Sequence, residues 1–139
     1  VIPALIQRFY QAKINNQSEV ICWGTGSPFR EFLHVNDLAE ACIHLLEKWS
    51  PKKEELSFLN VGTGKDISIK ELTVLIAELI GYEGDIKWDN SKLDGTPKKL
   101  LDIRRIKATG WNYKIQLKNG LNSTIKNFIE DHKHDKVRK

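Results

Sequence analysis

Three tyrosines, four histidines and two cysteines are among the side chains of this 139-residue sequence with the chemistry to move a proton or attack a carbon. A hydride-transfer centre built on a tyrosine acid needs a lysine four residues on, so that one helical turn sets the ammonium beside the phenol and the cofactor ribose. The residues four places after Tyr10, Tyr82 and Tyr113 are Ile14, Ile86 and Leu117. His34, His44, His132 and His134 have no spacing that makes a nucleophilic triad or a metal cluster. Cys22 and Cys42 each lie in an apolar run, which predicts reduced, buried thiols and no zinc site. No catalytic and no metal-ligating residue is expected from these types and spacings.

Two glycine pairs, Gly24-Thr25-Gly26 and Gly62-Thr63-Gly64, begin like a dinucleotide fingerprint, but Phe29 and Ile67 stand where its third glycine belongs. Lys65 lacks the upstream glycine and the following Ser/Thr of a phosphate-binding P-loop. Both pairs read as turns, and no cofactor is expected on this chain.

The elements that carry these residues follow from periodicity and punctuation. Pro3 suits a first helical turn, and Leu5, Ile6, Phe9 and Tyr10 recur at helical spacing up to about Lys13. Glu19 to Trp23 reads as a strand, followed after the turn at 24–28 by a second over Phe29 to His34, so that a hairpin or paired strands are plausible. Asn36 reads as the N-cap of a helix with Leu38, Ala41, Cys42, Leu45, Leu46 and Trp49 on one face, packed against the body. Ser57 to Val61 reads as a short strand ending at the second glycine pair. The clearest helix begins at the capping box Ser68 and Glu71, carries Leu72, Leu75, Ile76 and Leu79, and stops at Gly81. Asp85 to Trp88 reads as a strand, a polar loop runs through Asp94 and Pro97, a short helix spans about Ile103 to Thr109, and a last one spans about Lys118 to Asp131.

With 40% hydrophobic and 29% charged residues the sequence has the composition of one soluble globular domain. No apolar run approaches the ~20 residues that span a bilayer, and no basic-then-apolar leader is visible, so a cytoplasmic protein without membrane contact is expected. The net charge of +4 owes much to Lys133–Lys139. Without interleaved aromatics or a basic helical stripe, this reads as a solvated tail at 132–139 behind a domain at 1–131, not as a nucleic-acid arm. The sequence has no methionine and opens on Val1-Ile2-Pro3-Ala4-Leu5, which reads as a piece of a longer chain.

The string Arg30-Glu31-Phe32-Leu33-His34-Val35-Asn36-Asp37 resembles the arginine-acid-Phe-x-His/Tyr-Val-x-Asp signature of the extended short-chain dehydrogenase/reductases, the family of nucleotide-sugar epimerases and dehydratases. Val1 to Leu5 with Arg8, Asn60 to Gly64, and Asp94-Gly95-Thr96-Pro97-Lys98-Lys99-Leu100-Leu101-Asp102 resemble its GDP-L-fucose synthase branch in particular. The resemblance covers Val1 to about Glu130, in family order.

That resemblance implies an α/β fold: a small mixed α+β domain, the C-terminal substrate-binding portion of such an enzyme, without its Rossmann domain. It implies that NADP is bound, and the catalytic Ser, Tyr and Lys carried, by that other domain. The implied reaction of the whole enzyme takes GDP-4-keto-6-deoxy-D-mannose, epimerises two carbons beside the ketone and reduces the ketone with NADPH. The base and acid of the epimerisation are a cysteine and a histidine that this sequence does not include, and neither Cys22 nor Cys42 matches that cysteine. By motif position Arg8, Trp23, Arg30, Asp94 and Lys99 match the residues that contact the GDP-sugar. The chemistry agrees, with a charged fork and a point charge for diphosphate oxygens, an aromatic face, and an acceptor for ribose or guanine donors. His34 and Asp37 have a scaffold role as an alternative. The full-length enzyme is expected to be a homodimer. A UDP- or dTDP-sugar enzyme of the same family shares the Arg30 to Asp37 signature but not the Asp94 to Leu101 string. A free-standing binding module is the reading from a different class.

Overall fold

The computed structural model describes residues 1–54 and 56–133 of the chain. Helix α1, Ile2–Ile14, starts with its proline in the first turn and buries Leu5, Ile6, Phe9 and Ala12, the 3–4 spacing that puts one face of a helix inward. Strand β1, Glu19–Trp23, alternates exposed and buried residues and turns Val20 and Cys22 into the same core. Strand β2, Phe29–Glu31, and helix α2, Val35–Lys48, follow. Strand β3, Asp66–Ser68, runs directly into helix α3, Ile69–Ile80. Strand β4, Asp85–Asp89, the two-residue strand β5, Lys98–Lys99, the short helix α4, Arg104–Ala108, and helix α5, Leu117–Lys133, complete the described residues.

The main core gathers α1, β1, α3 and α5: the fully buried Phe9 shares it with Leu72, Ile76 and Ile80 from α3 and Leu121 and Ile125 from α5. Each such side chain contributes about 1.5–3 kcal/mol by leaving water. Helix α3 has the ends expected of it. Ser68 and Glu71 form a reciprocal capping box, and Gly81 adopts the left-handed conformation at φ 73° that closes the last turn. Nζ of Lys13 donates to the Ile80 carbonyl, 2.7 Å away, and so ties α1 to the electronegative end of α3. A second, smaller core gathers Ala41, Ile103, Ile106 and Trp111.

Strand pairing departs from the expected hairpin. β1 pairs with β4 in parallel, whereas β2 is the middle strand of a separate sheet, antiparallel to β3 and parallel to β5. The turn between β1 and β2 holds Gly24 and Gly26 at φ 79° and 74°, and this redirects the chain from one sheet to the other instead of folding it back. Ser57 to Val61 forms no strand. The guanidinium of Arg105 donates to the carbonyls of Leu56 and Phe58, at 2.8 and 2.6 Å, where a neighbouring strand would otherwise bond.

Helix α2 is capped by His34, not Asn36, with Nδ1 of the imidazole accepting from the Asn36 amide at 3.2 Å. Ala41 is its buried apolar residue; Leu38, Leu46 and Cys42 are exposed, Leu46 to 87%. The expectation of two buried thiols therefore holds for Cys22 and fails for Cys42, because the small core covers only the Ala41 side of the helix. Helix α5 continues through Lys133, with His132 stacked on Phe128 and edge-on to Tyr10. The remainder of the expected tail, 134–139, lies outside the described residues. Among the described residues no helix is long and apolar enough to cross a membrane, and no group of three or more potential metal ligands converges.

Candidate functional site

Strand β1 delivers Trp23 to its C-terminal end, where the indole is 68% exposed and the Lys92 ammonium lies 5.8 Å from its ring. Gly24 then leaves the ladder, its amide donating to the Asp89 carbonyl at 3.0 Å. The turn that follows is closed by Asp94. Its Oδ1 accepts from the Thr25 amide at 3.0 Å and its Oδ2 from the Thr25 hydroxyl at 2.5 Å, with the Ser27 hydroxyl more distant at 3.5 Å. The Thr25 hydroxyl, and after it the Thr25 amide, hold the Asp94 carboxyl below the usual carboxylate range. Gly24 is obligatory here twice over: its φ is left-handed, and a β-carbon would lie 2.3 Å from Asp94 Oδ1. Gly26 packs flat against Trp88, whose ring would be 2.6 Å from a β-carbon.

Beyond the turn, β2 places Arg30 directly opposite Lys99 of β5. Partners in a parallel ladder project from the same face, with strands about 4.8 Å apart, so the guanidinium and the ammonium share one side of this sheet. Phe29 and Lys98 share the other, where Lys98 lies 5.9 Å from the Phe29 ring and pairs with Asp66 at 2.9 Å. Arg30 spends one Nη1 hydrogen on the Phe29 carbonyl at 2.7 Å, and its Nη2 passes over Gly95, 3.2 Å from where a β-carbon would be. Arg30 and Lys99 thus put two like charges on one face, with no carboxylate bonded to either among the described residues, a pairing whose chemistry suits anionic oxygens.

The five residues singled out from the sequence are thus distributed unequally. Arg30 and Lys99 are adjacent in register, and Asp94 and Trp23 flank the turn that leads to them. Asp94, on the exposed loop, accepts from Thr25 through both carboxylate oxygens. Arg8 is anchored to β1, two residues before Trp23, where its Nη1 donates to the Ile21 carbonyl at 2.8 Å. Burial pushes the Cys22 thiol up, against the opposing pull of the Arg8 guanidinium beside it. A thiol raised in this way and 3% exposed is no base for a carbon acid.

Two carboxylates of the signature string carry roles that residue type alone does not indicate. Glu31 accepts from the amides of Thr63 and Gly64 through Oε1, at 2.5 and 2.6 Å, and from the Leu101 amide through Oε2, at 2.9 Å. Asp37, 2% exposed, accepts from the amides of Lys114 and Ile115 at 3.1 and 2.9 Å. Asp37 and the capping His34 therefore have the scaffold contacts that were the alternative for them. The one sequence signal for Glu31 is the acid that follows the arginine in the signature.

These contacts also decide what the glycine pairs can hold. A dinucleotide pyrophosphate needs free backbone amides at the turn, but Thr25 N is bonded to Asp94, and Thr63 N and Gly64 N are bonded to Glu31. Carboxylates fill both places, and their charge would repel a phosphate. Neither turn fits NADP.

Residues 1–62 match the NAD dependent epimerase/dehydratase family. The chain is 50% identical over 131 residues, 94% of its length, to a probable GDP-L-fucose synthase from Oryza sativa subsp. japonica, and covers 39% of that protein. It is 48% identical over 136 residues to the GDP-L-fucose synthase of Escherichia coli (strain K12), with 94% of the chain aligned on 42% of the relative. Among solved structures, a GDP-mannoheptose C4 reductase from Campylobacter jejuni with NADP bound superposes with a TM-score of 0.79 at 31% identity, covering 93% of this chain and 44% of that one. The chain is thus homologous to part of the GDP-L-fucose synthases and spans about two fifths of the length of the curated relatives it matches.

Proposed function

We propose that this chain, as a homologue of part of the GDP-L-fucose synthases, is the C-terminal, GDP-sugar-binding portion of an NADP-dependent enzyme that converts GDP-4-keto-6-deoxy-D-mannose to GDP-L-fucose by 3,5-epimerisation and 4-reduction. The observation that carries the reading is the pairing of Arg30 with Lys99 on one sheet face, within the two strings that resemble this branch. Arg30 is the bidentate fork for the diphosphate, and Lys99 is a point charge on a second oxygen. The exposed Trp23 indole offers a flat apolar surface for a base or sugar ring at the edge of the site. Asp94 contributes by holding the turn between Trp23 and Arg30 in one shape.

Nicotinamide chemistry, when the cofactor is bound, supplies the hydride for the reduction. This chain's residues bind and orient the nucleotide end of the substrate, and the groups that move protons at the sugar belong to the rest of the enzyme. A homodimer in the cytoplasm is the expected setting of the complete protein.

The test is nucleotide titration of the chain, followed by amide chemical shifts. GDP shifts the resonances of Trp23, Arg30 and Lys99 in the millimolar to high micromolar range, because a half-built pocket lacks the preorganisation that converts contacts into affinity. UDP shifts them less. Equal or stronger shifts with UDP would move the assignment to a UDP-sugar enzyme, and no shift at these residues with either nucleotide would end the reading.

A further inference from the structure

Strand β5 is two residues long, too short to hold its register by ladder bonds alone. At its N-terminal end the Phe29 amide donates to the Pro97 carbonyl at 2.8 Å. At its C-terminal end the bond comes from a side chain: Leu101 N, two residues beyond Lys99, donates to Oε2 of Glu31 at 2.9 Å. Oε1 of the same carboxylate is held by the amides of Thr63 and Gly64 and by the Thr63 hydroxyl at 3.2 Å. Gly62 makes room for it, since a β-carbon there would lie 2.4 Å from Oε1. Glu31 follows Arg30 in β2, so its side chain leaves the opposite face from the guanidinium and touches neither cation.

We propose that Glu31 is a positioning residue for the anion site: bolted to the 62–64 turn through one oxygen, it holds the end of β5 through the other and so keeps Lys99 opposite Arg30. The role rests on the nucleotide-sugar reading given above, but its structural half does not depend on any ligand. A negative charge is suited to the task because all the donors are backbone amides or a hydroxyl, and bonds to an ionised acceptor are roughly twice as strong as neutral ones. It also explains how two cations are kept on one short strand pair: the turn chain 62–64 supplies the anchorage that β5 lacks.

Glu31→Gln separates the two halves of the bolt. Its amide oxygen still accepts from Thr63 and Gly64, whereas its NH2 group faces Leu101 N donor to donor. Amide exchange in the ligand-free chain should accelerate by about 10-fold or more at Leu101 and Phe29, the two bonds that pin β5, and stay within about two-fold at Thr63 and Gly64. GDP as probe should bind about 3-fold to 10-fold more weakly. Glu31→Gln combined with Lys99→Ala should bind no more weakly than Lys99→Ala alone, because the first change acts through the second residue. Unchanged exchange at Phe29, or losses in GDP affinity that add fully in the double variant, would overturn the proposal. Should Glu31→Gln not give a native spectrum, Glu31→Asp, which is one methylene too short to reach both donors, carries the same expectations. If GDP leaves the wild-type spectrum unmoved, the nucleotide reading fails by itself, and exchange at Phe29 and Leu101 still decides whether Glu31 holds β5.

Discussion

Arg30 and Lys99, 69 positions apart in the sequence, are register partners across β2 and β5, and neither has a carboxylate bonded to it among the described residues. Like charges so placed repel each other, and an anion bound between them would relieve that repulsion.

Arg30→Ala should therefore weaken GDP-sugar binding by roughly 10-fold to 150-fold, the equivalent of one charge-assisted hydrogen bond at about 1.5–3 kcal/mol. Arg30→Lys should recover part of the loss, since an ammonium lacks the fork. The melting temperature should stay within about 2 °C, because the one bond lost inside the protein is to the neighbouring Phe29 carbonyl. A variant with wild-type affinity would refute the assignment, and one with a large loss of melting temperature would make Arg30 a brace of the strand. The check is calorimetric titration beside a thermal melt.

Gly24→Ala should destabilise the chain by about 1–2 kcal/mol from the left-handed φ of 79°, with more from the contact of the new methyl with Asp94. For a domain of this size that is a drop of about 3–8 °C in a calorimetric melt. Gly110→Ala, also left-handed but with nothing within 4 Å of the new methyl, should show the backbone cost alone.

The folded carboxyl of Asp94 titrates below its ordinary 3.8, so the grip on Thr25 contributes stability above that value and loses it as the pH falls toward the lower folded one. Thr25 amide exchange, corrected for its intrinsic pH dependence, should be protected at pH 6 and lose protection on acidification below about pH 3.8. Asp94→Asn should remove that pH dependence. Protection of Thr25 that persists in Asp94→Ala would show that the turn needs no carboxylate.

Asp102 is held well below its ordinary 3.8, at about 2, because the Arg104 side chain, and after it the Arg104 amide at 3.0 Å, bonds its charged form. Here too the folded value is depressed, so the contact is complete above the ordinary 3.8 and fades as the pH falls toward 2. Carbonyl-detected titration should give a midpoint near 2 for Asp102 in the wild type and a higher one in Arg104→Ala, still below the ordinary 3.8 because the backbone amide of residue 104 remains bonded to the carboxylate.

NADPH fluorescence should be unchanged by addition of the chain, since carboxylates occupy the amides at both glycine turns. Glu31→Ala or Asp94→Ala should not create cofactor binding, because each frees only one turn and adds no third glycine. Saturable NADPH binding by the wild-type chain would contradict this account of the turns.

Helix α3 was legible from its own residues. A capping box joins Ser68 to Glu71 across three positions, and Gly81 ends the helix from within the same segment, so every group that defines the element lies within a few residues of it. The alternation of β1 and the first helix were legible for the same reason, whereas the five candidate contact residues rest on the resemblance of motif strings. What tertiary structure decided is which partner each strand and each carboxylate finds. β2 bonds to β3 and β5 instead of β1; Ser57 to Val61 meets the guanidinium of Arg105 instead of a strand; Cys42 falls on the uncovered side of its helix. Asp94 closes a turn 69 residues away, and Glu31 holds an amide 70 residues away. A carboxylate has the same residue type whether it faces a ligand or a distant backbone amide. Only the fold brings the donors within 3 Å that settle which it does.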